Sequence, residues 1–295
     1  GESLYALFKS GNLACLDFIG TILWQKDLSS YGKDTLYWDF GTSPILTSRH
    51  LIVALMRKGN SWLLAFEPKS GEVAWKKERN YRTPPECDHS YATPTLIEHE
   101  GKEAILVWGA ERLSAHSAED GEMHWVSTGF NPKQKKNWVV VGSQVVAGDV
   151  AVVPYGRGTH MKGIRMGGNG DVTESHLLWA RTDTGCFVPS PAVAHGKVYV
   201  LRDRGEVHCI DPGTGKSHWE DAFPRASSSF YASPTVAGTK LYAPREDGVI
   251  LIAEVDKGFK FLGAFDMGER VIASPVPIRD RILIRGERNL LCFGG

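Results

Sequence analysis

A phrase of eleven residues ending in tryptophan recurs along this chain, and such a repeat limits the fold more than any local propensity does. Its clearest copy, at 209–219, reads Cys-Ile-Asp-Pro-Gly-Thr-Gly-Lys-Ser-His-Trp. Copies at 65–75 and 115–125 match it position for position. A copy one residue shorter spans 15–24, and a stretched one reaches Trp179. The chain therefore stacks one supersecondary unit several times.

Each unit opens on a small residue followed by proline, at Ser43-Pro44, Thr93-Pro94, Ser190-Pro191, Ser233-Pro234 and Ser274-Pro275. The steps between them are 50, 97, 43 and 41 residues, and a degenerate copy at Ser143-Gln144 divides the 97. A period of about 40 to 50 residues suits a blade of four short strands. In the best copy, apolar runs at 192–194, 198–201 and 207–210 alternate with polar turns, and the Asp-Pro-Gly-Thr-Gly turn delivers the strand that carries Trp219. Glycine supplies positive φ in such turns, and aspartate bonds the backbone beside it. Proline is tolerated where it precedes the ladder hydrogen bonds. Helical periodicity is almost absent.

The reading is an all-β propeller of four-stranded antiparallel blades, about seven in this chain, forming a single domain over 1–295 with incomplete blades at both termini. The N-terminal fragment (3–28) lacks a first strand and the C-terminal piece (271–293) a fourth, so the parent protein is expected to carry eight blades. The opening Gly1 reads as a cut from a longer precursor.

Lysine plus arginine and aspartate plus glutamate both number 34, so no long-range field gathers nucleic acid. No apolar run of about 18 residues suits a membrane-spanning helix. The five cysteines form no Cys-x-x-Cys pair. Cys15, Cys209 and Cys292 occupy equivalent apolar runs and read as buried strand residues, whereas Cys87 and Cys186 read as loop thiols open to solvent.

With the phrase laid out, its Ala/Cys-x-Asp-x-x-Thr-Gly-Lys-x-x-Trp pattern resembles the tryptophan-docking repeat of the pyrroloquinoline-quinone-like propellers. That superfamily includes BamB-like proteins and quinoprotein alcohol dehydrogenases. The resemblance covers nearly the whole chain and implies a structural role for Trp24, Trp75, Trp125, Trp179 and Trp219, each ring packing between neighbouring blades. A buried indole needs an acceptor for its single donor, and the resemblance supplies a backbone carbonyl. The dehydrogenases of the superfamily stack their quinone on a vicinal Cys-Cys disulfide and bind calcium through carboxylates. This sequence has no Cys-Cys pair, so no catalytic residue, metal ligand or cofactor is assigned; a divergent quinone- and calcium-dependent dehydrogenase is the rival reading.

Two loops carry unusual polar density. The segment 82–91 crowds Glu86, Asp88, His89 and Tyr91, with the simpler reading an inter-blade connection and the sharper one a metal or sugar site. The segment 166–173 is glycine-rich and holds Asn169 and Asp171. It lacks the Lys-Ser/Thr of a phosphate-binding loop and reads as a long hairpin turn. Arg157 and His160 precede it and are expected to share a rim with these loops. The functional expectation is a non-catalytic, monomeric scaffold that docks a protein or peptide through face loops, in the periplasm or another extracytoplasmic space.

Overall fold

In the computed structural model, which describes residues 2–294, the chain forms seven consecutive antiparallel sheets and a single short 3-10 turn, Leu28–Tyr31. It is an all-β propeller chain with seven blades. No helix is long and apolar enough to cross a membrane. Two compact units divide it: Gly1–Ser143 with Gly167–His176, and Gln144–Met166 with Leu177–Gly295.

The first unit holds three sheets. The first has strands Leu4–Leu7, Asn12–Leu16 and Ile22–Asp27, and the second Ile45–Leu46, Leu51–Leu55, Trp62–Phe66 and Val73–Glu78. The third, Thr95–His99, Lys102–Gly109, Arg112–Ser117 and Met123–Ser127, gains a fifth strand. That strand is Gly170–Asp171, which pairs in parallel with Met123–Ser127. The glycine-rich segment, expected as a hairpin turn, thus closes an outer sheet edge instead. The second unit holds three four-stranded sheets, led by Val145–Ala147, Ala192–Ala194 and Thr235–Ala237, and a three-stranded one, Val276–Ile278, Arg281–Arg285 and Leu290–Phe293.

Inner strands are apolar on both faces because both are covered: all five residues of Leu51–Leu55 are buried. Outer strands alternate, as in Val73–Glu78, where one face meets solvent.

Strand register explains the repeat phrase. In six sheets the last two strands shift register, at Cys15/Leu16, Ala65/Phe66, Ala115/His116, Gly163/Ile164, Cys209/Ile210 and Ile252/Ala253. In the first five, the residue before the shift sits opposite the terminal tryptophan, and it is always small: Cys15, Ala65, Ala115, Gly163 or Cys209. A β-carbon at Gly163 would lie 2.2 Å from the Trp179 indole nitrogen, so bulk is excluded there. The sixth sheet inverts the pair, with Ile252 opposite Gly263.

The phrase's second glycine answers the preceding sheet's tryptophan. Trp24 lies against Gly71, Trp75 against Gly121 and Trp179 against Gly215, where a β-carbon would come within 2.7, 2.6 and 2.4 Å of the ring. These glycines also hold φ of about +70°, which L side chains resist. Trp24 Nε1 donates to Pro68 O at 3.0 Å and Trp179 Nε1 to Pro212 O at 2.7 Å. Trp75, Trp125 and Trp219 pack without an acceptor for the indole N–H. Trp125 faces the added strand at Gly170, and Trp219 lies 5.8 Å from the Phe259 ring.

The cysteines require a correction. Cys87 and Cys186, expected as open loop thiols, are buried, and burial raises both thiol pKa values, that of Cys87 to about 11. The Cys87 thiol donates to Lys135 O at 3.3 Å, so its loop folds inward over a neighbouring one. Cys292, expected buried, is exposed because its strand pairs on one side only.

Candidate functional site

Turns after the first and third strands of a sheet gather at one end of it, and the remaining connections gather at the other. In the first unit the second kind includes residues 28–44, 56–61 and 79–94. The first of these is longer than the roughly 12–15 residues beyond which structureless loops usually carry function.

Segment 79–94 is tied down by an isolated antiparallel bridge between Met56 and Ser90, with Ser90 N donating to Met56 O at 3.1 Å. Arg57 and His89 are the residues that flank this bridge on the two segments. Segment 33–40 lies above them. Its Tyr37 ring meets the His89 ring edge-on at 5.7 Å, and the Phe40 ring lies 5.7 Å from the Arg57 guanidinium carbon. Trp38 N donates to Tyr91 Oη at 3.2 Å, and Lys58 N donates to Thr35 Oγ1 at 3.0 Å. Gly32 starts the segment at φ +120°, and a β-carbon there would lie 2.5 Å from Asn60 Cγ.

Two properties distinguish this place. Its roof is aromatic and open, with Trp38 79% and Tyr37 69% exposed. Its floor is cationic and closed: Arg57 is 0% exposed. Arg57 Nε donates to Asn60 O at 3.1 Å, while Nη1 and Nη2 have no partner, and neither has His89 Nδ1. Burial pulls the Arg57 pKa below its ordinary value, and the carboxylate of Asp34 opposes that pull. Asp34 itself accepts from Leu36 N at 2.9 Å. Burial also raises the pKa of Tyr91, against which the Trp38 amide works.

Of the loop residues singled out by sequence, Glu86, Asp88, His89 and Tyr91 therefore lie together at this end of the first unit. Asp88 approaches His89 Nε2 at 3.9 Å. Asn169 and Asp171 also belong to the first unit but lie along the outer edge of the third sheet. Asn169 reaches Glu100, in the turn after strand Thr95–His99, at 3.5 Å, and Asp171 Oδ1 accepts from Thr173 N at 2.9 Å. The hydroxyl and amide of Thr173 hold the Asp171 carboxyl below its usual range. Arg157 and His160 lie in the second unit, Arg157 in the turn after strand Val150–Tyr155 and His160 at the start of the next strand. There Arg157 covers the Phe187 ring at 4.3 Å, and His160 meets Tyr155 at 5.0 Å.

Sequence reasoning passed over Tyr37, Trp38 and Arg57. The available signals were the length of 28–44 with its adjacent aromatics, and a charged residue directly after an apolar run.

A polar groove of about 430 Å³ lies at the other end of the first unit, lined in part by Arg49, Glu103, Glu119 and His124. Its charges satisfy one another: Ser48 N and Oγ donate to Glu103 Oε2 at 2.8 and 2.6 Å, and Arg49 pairs with Glu119 at 2.9 Å. Among the described residues no three His, Cys, Asp or Glu side chains converge as metal ligands. All five cysteines are free and none adjoins another, so the residues present do not fit a disulfide cradle for a quinone.

Comparison with known proteins follows the same lines. A family model described as outer membrane protein assembly factor BamB matches residues 9–172 and 171–260. The crystal structure of BamB from Moraxella catarrhalis is similar with a TM-score of 0.72 at 16% identity, covering 99% of this chain and 81% of that one. The crystal structure of the computationally designed Ika8 protein is similar at 0.60 and 8% identity, covering 100% of this chain and 93% of that one. At these identities the structural likeness speaks for the fold alone. No curated protein matches the chain by sequence.

Proposed function

Because the chain belongs to the family of the outer membrane protein assembly factor BamB, we propose that it is a non-catalytic scaffold that docks a polypeptide partner during outer membrane assembly, outside the cytoplasm. The observation that carries this reading is the aromatic roof of the first unit. Trp38 and Tyr37 stand in solvent on a segment held to the loops beneath it by two hydrogen bonds, although the fold needs neither ring to fill its core. Exposed tryptophan and tyrosine are among the side chains that most often anchor protein interfaces. Rigid sheets hold the loops in place, and the loops supply the contacts.

Photo-cross-linking from position 38 in the cell tests the proposal, with position 19 as the control, since Ile19 is 90% exposed in a turn at the other end of the first sheet. The expected result is one recurrent polypeptide adduct from position 38, absent from position 19 and competed by unlabelled protein but not by its Trp38→Ala variant. Equal adducts from both positions, or none from position 38, would contradict it.

A further inference from the structure

The floor of that site carries a chemical signature of its own. A guanidinium removed from water normally gives its N–H groups to carbonyls or carboxylates, since an unpartnered buried donor is costly. Arg57 leaves both Nη groups without a partner, and His89 Nδ1 on the neighbouring segment is equally unpartnered. Two parallel N–H groups on one planar fork match the two oxygens of a carboxylate. The side chain is anchored on one side, with Nε held by Asn60 O and the Phe40 ring lying 5.7 Å from the guanidinium carbon. The lid over it, residues 33–39, presents Tyr37 and Trp38 outward and is tied to the floor by Thr35 Oγ1 and Tyr91 Oη.

We propose that the Arg57 niche is a carboxylate receptor. The lid lifts, the Arg57 fork binds a carboxylate of the docked polypeptide through both oxygens, His89 flanks it, and Tyr37 and Trp38 pack on the neighbouring apolar residue. The carboxylate comes from an acidic side chain or from a chain's C-terminus. This deepens the docking reading above and rests on it.

Titration of the full chain labelled with ¹⁵N-arginine, read at the Arg57 side-chain resonances, tests the assignment. Four probes separate the sources: N-acetyl-Gly-Phe with a free C-terminus, the same peptide amidated, N-acetyl-Glu-Phe-amide, and inorganic phosphate. A saturable shift is expected with at least one carboxylate peptide, at least tenfold weaker with the amidated N-acetyl-Gly-Phe, and the peptide that binds identifies the source. Accompanying changes in Trp38 fluorescence should disappear in R57M. No Arg57 shift with either carboxylate peptide, an equal shift with the amidated one, or saturation by phosphate alone at the same concentration would overturn the proposal. The wild-type resonances decide the matter even where R57M folds poorly. A null titration with intact cross-links from position 38 removes the carboxylate receptor and leaves the docking reading standing.

Discussion

Two arginines of the first unit are buried to the same depth and treated in opposite ways. Arg79 is 1% exposed and Arg57 0%, and among the described residues neither forms an ion pair. Around Arg79 the donors are occupied: Nη1 gives to Gly109 O at 3.0 Å, Nη2 to Arg112 O at 3.0 Å and to Ser114 Oγ at 3.0 Å. The network continues through Ser114 Oγ to His116 Nε2 at 2.9 Å, and His116 Nδ1 donates to Gly121 O at 3.1 Å. Burial lowers the pKa of Arg79 to about 10, which leaves it charged at neutral pH. Around Arg57 the same cation is buried with its fork empty. A closed network belongs to folding. An open one costs stability.

The largest effect sets the scale for this contrast. Trp125 is fully buried against the added strand at Gly170, and Trp125→Ala should cost about 3–5 kcal/mol in urea unfolding, as large-to-small aromatic changes do. A loss under about 1 kcal/mol would remove the wedging role of the ring. Arg79→Met should follow at roughly 3 kcal/mol, because it strips charge-assisted bonds from the Gly109 and Arg112 carbonyls.

The pH dependence sharpens the same side of the comparison. Burial and the nearby Arg79 charge lower the His116 pKa from the ordinary 6.5 to about 3. The unfolded chain takes up a proton below 6.5 that the folded one refuses. The stability His116 contributes is therefore complete above pH 6.5 and lost as pH falls toward 3, by up to ~1.4 kcal/mol per pH unit. Urea midpoints at pH 7 and pH 5 should differ accordingly, and His116→Gln should reduce that difference.

How much of this was legible in the sequence follows from what each feature depends on. The blades were readable because the tryptophan, the small residue opposite it and the glycine under the preceding ring are requirements repeated from unit to unit. Pairing in a sheet is local, so the turn chemistry at Asp211–Gly215 fixed it within one stretch of chain. His89 and Tyr91 stood out by crowding. Arg57 and Trp38 did not, because their meaning arises from segments that the bridge at Met56 and Ser90 brings together. The parallel strand at Gly170–Asp171 was hidden for the same reason: its partner, Met123–Ser127, belongs to a sheet built from a distant stretch of chain.

The smallest expected change in stability is the most telling. Urea unfolding of R57M, run beside R79M, tests directly whether the Arg57 niche is open for binding. Replacing a buried charge whose Nη groups have no partner by an apolar side chain of similar length should leave stability within about 1 kcal/mol of wild type, or raise it. A loss from R57M as large as that from R79M would make Arg57 a structural residue and contradict the account.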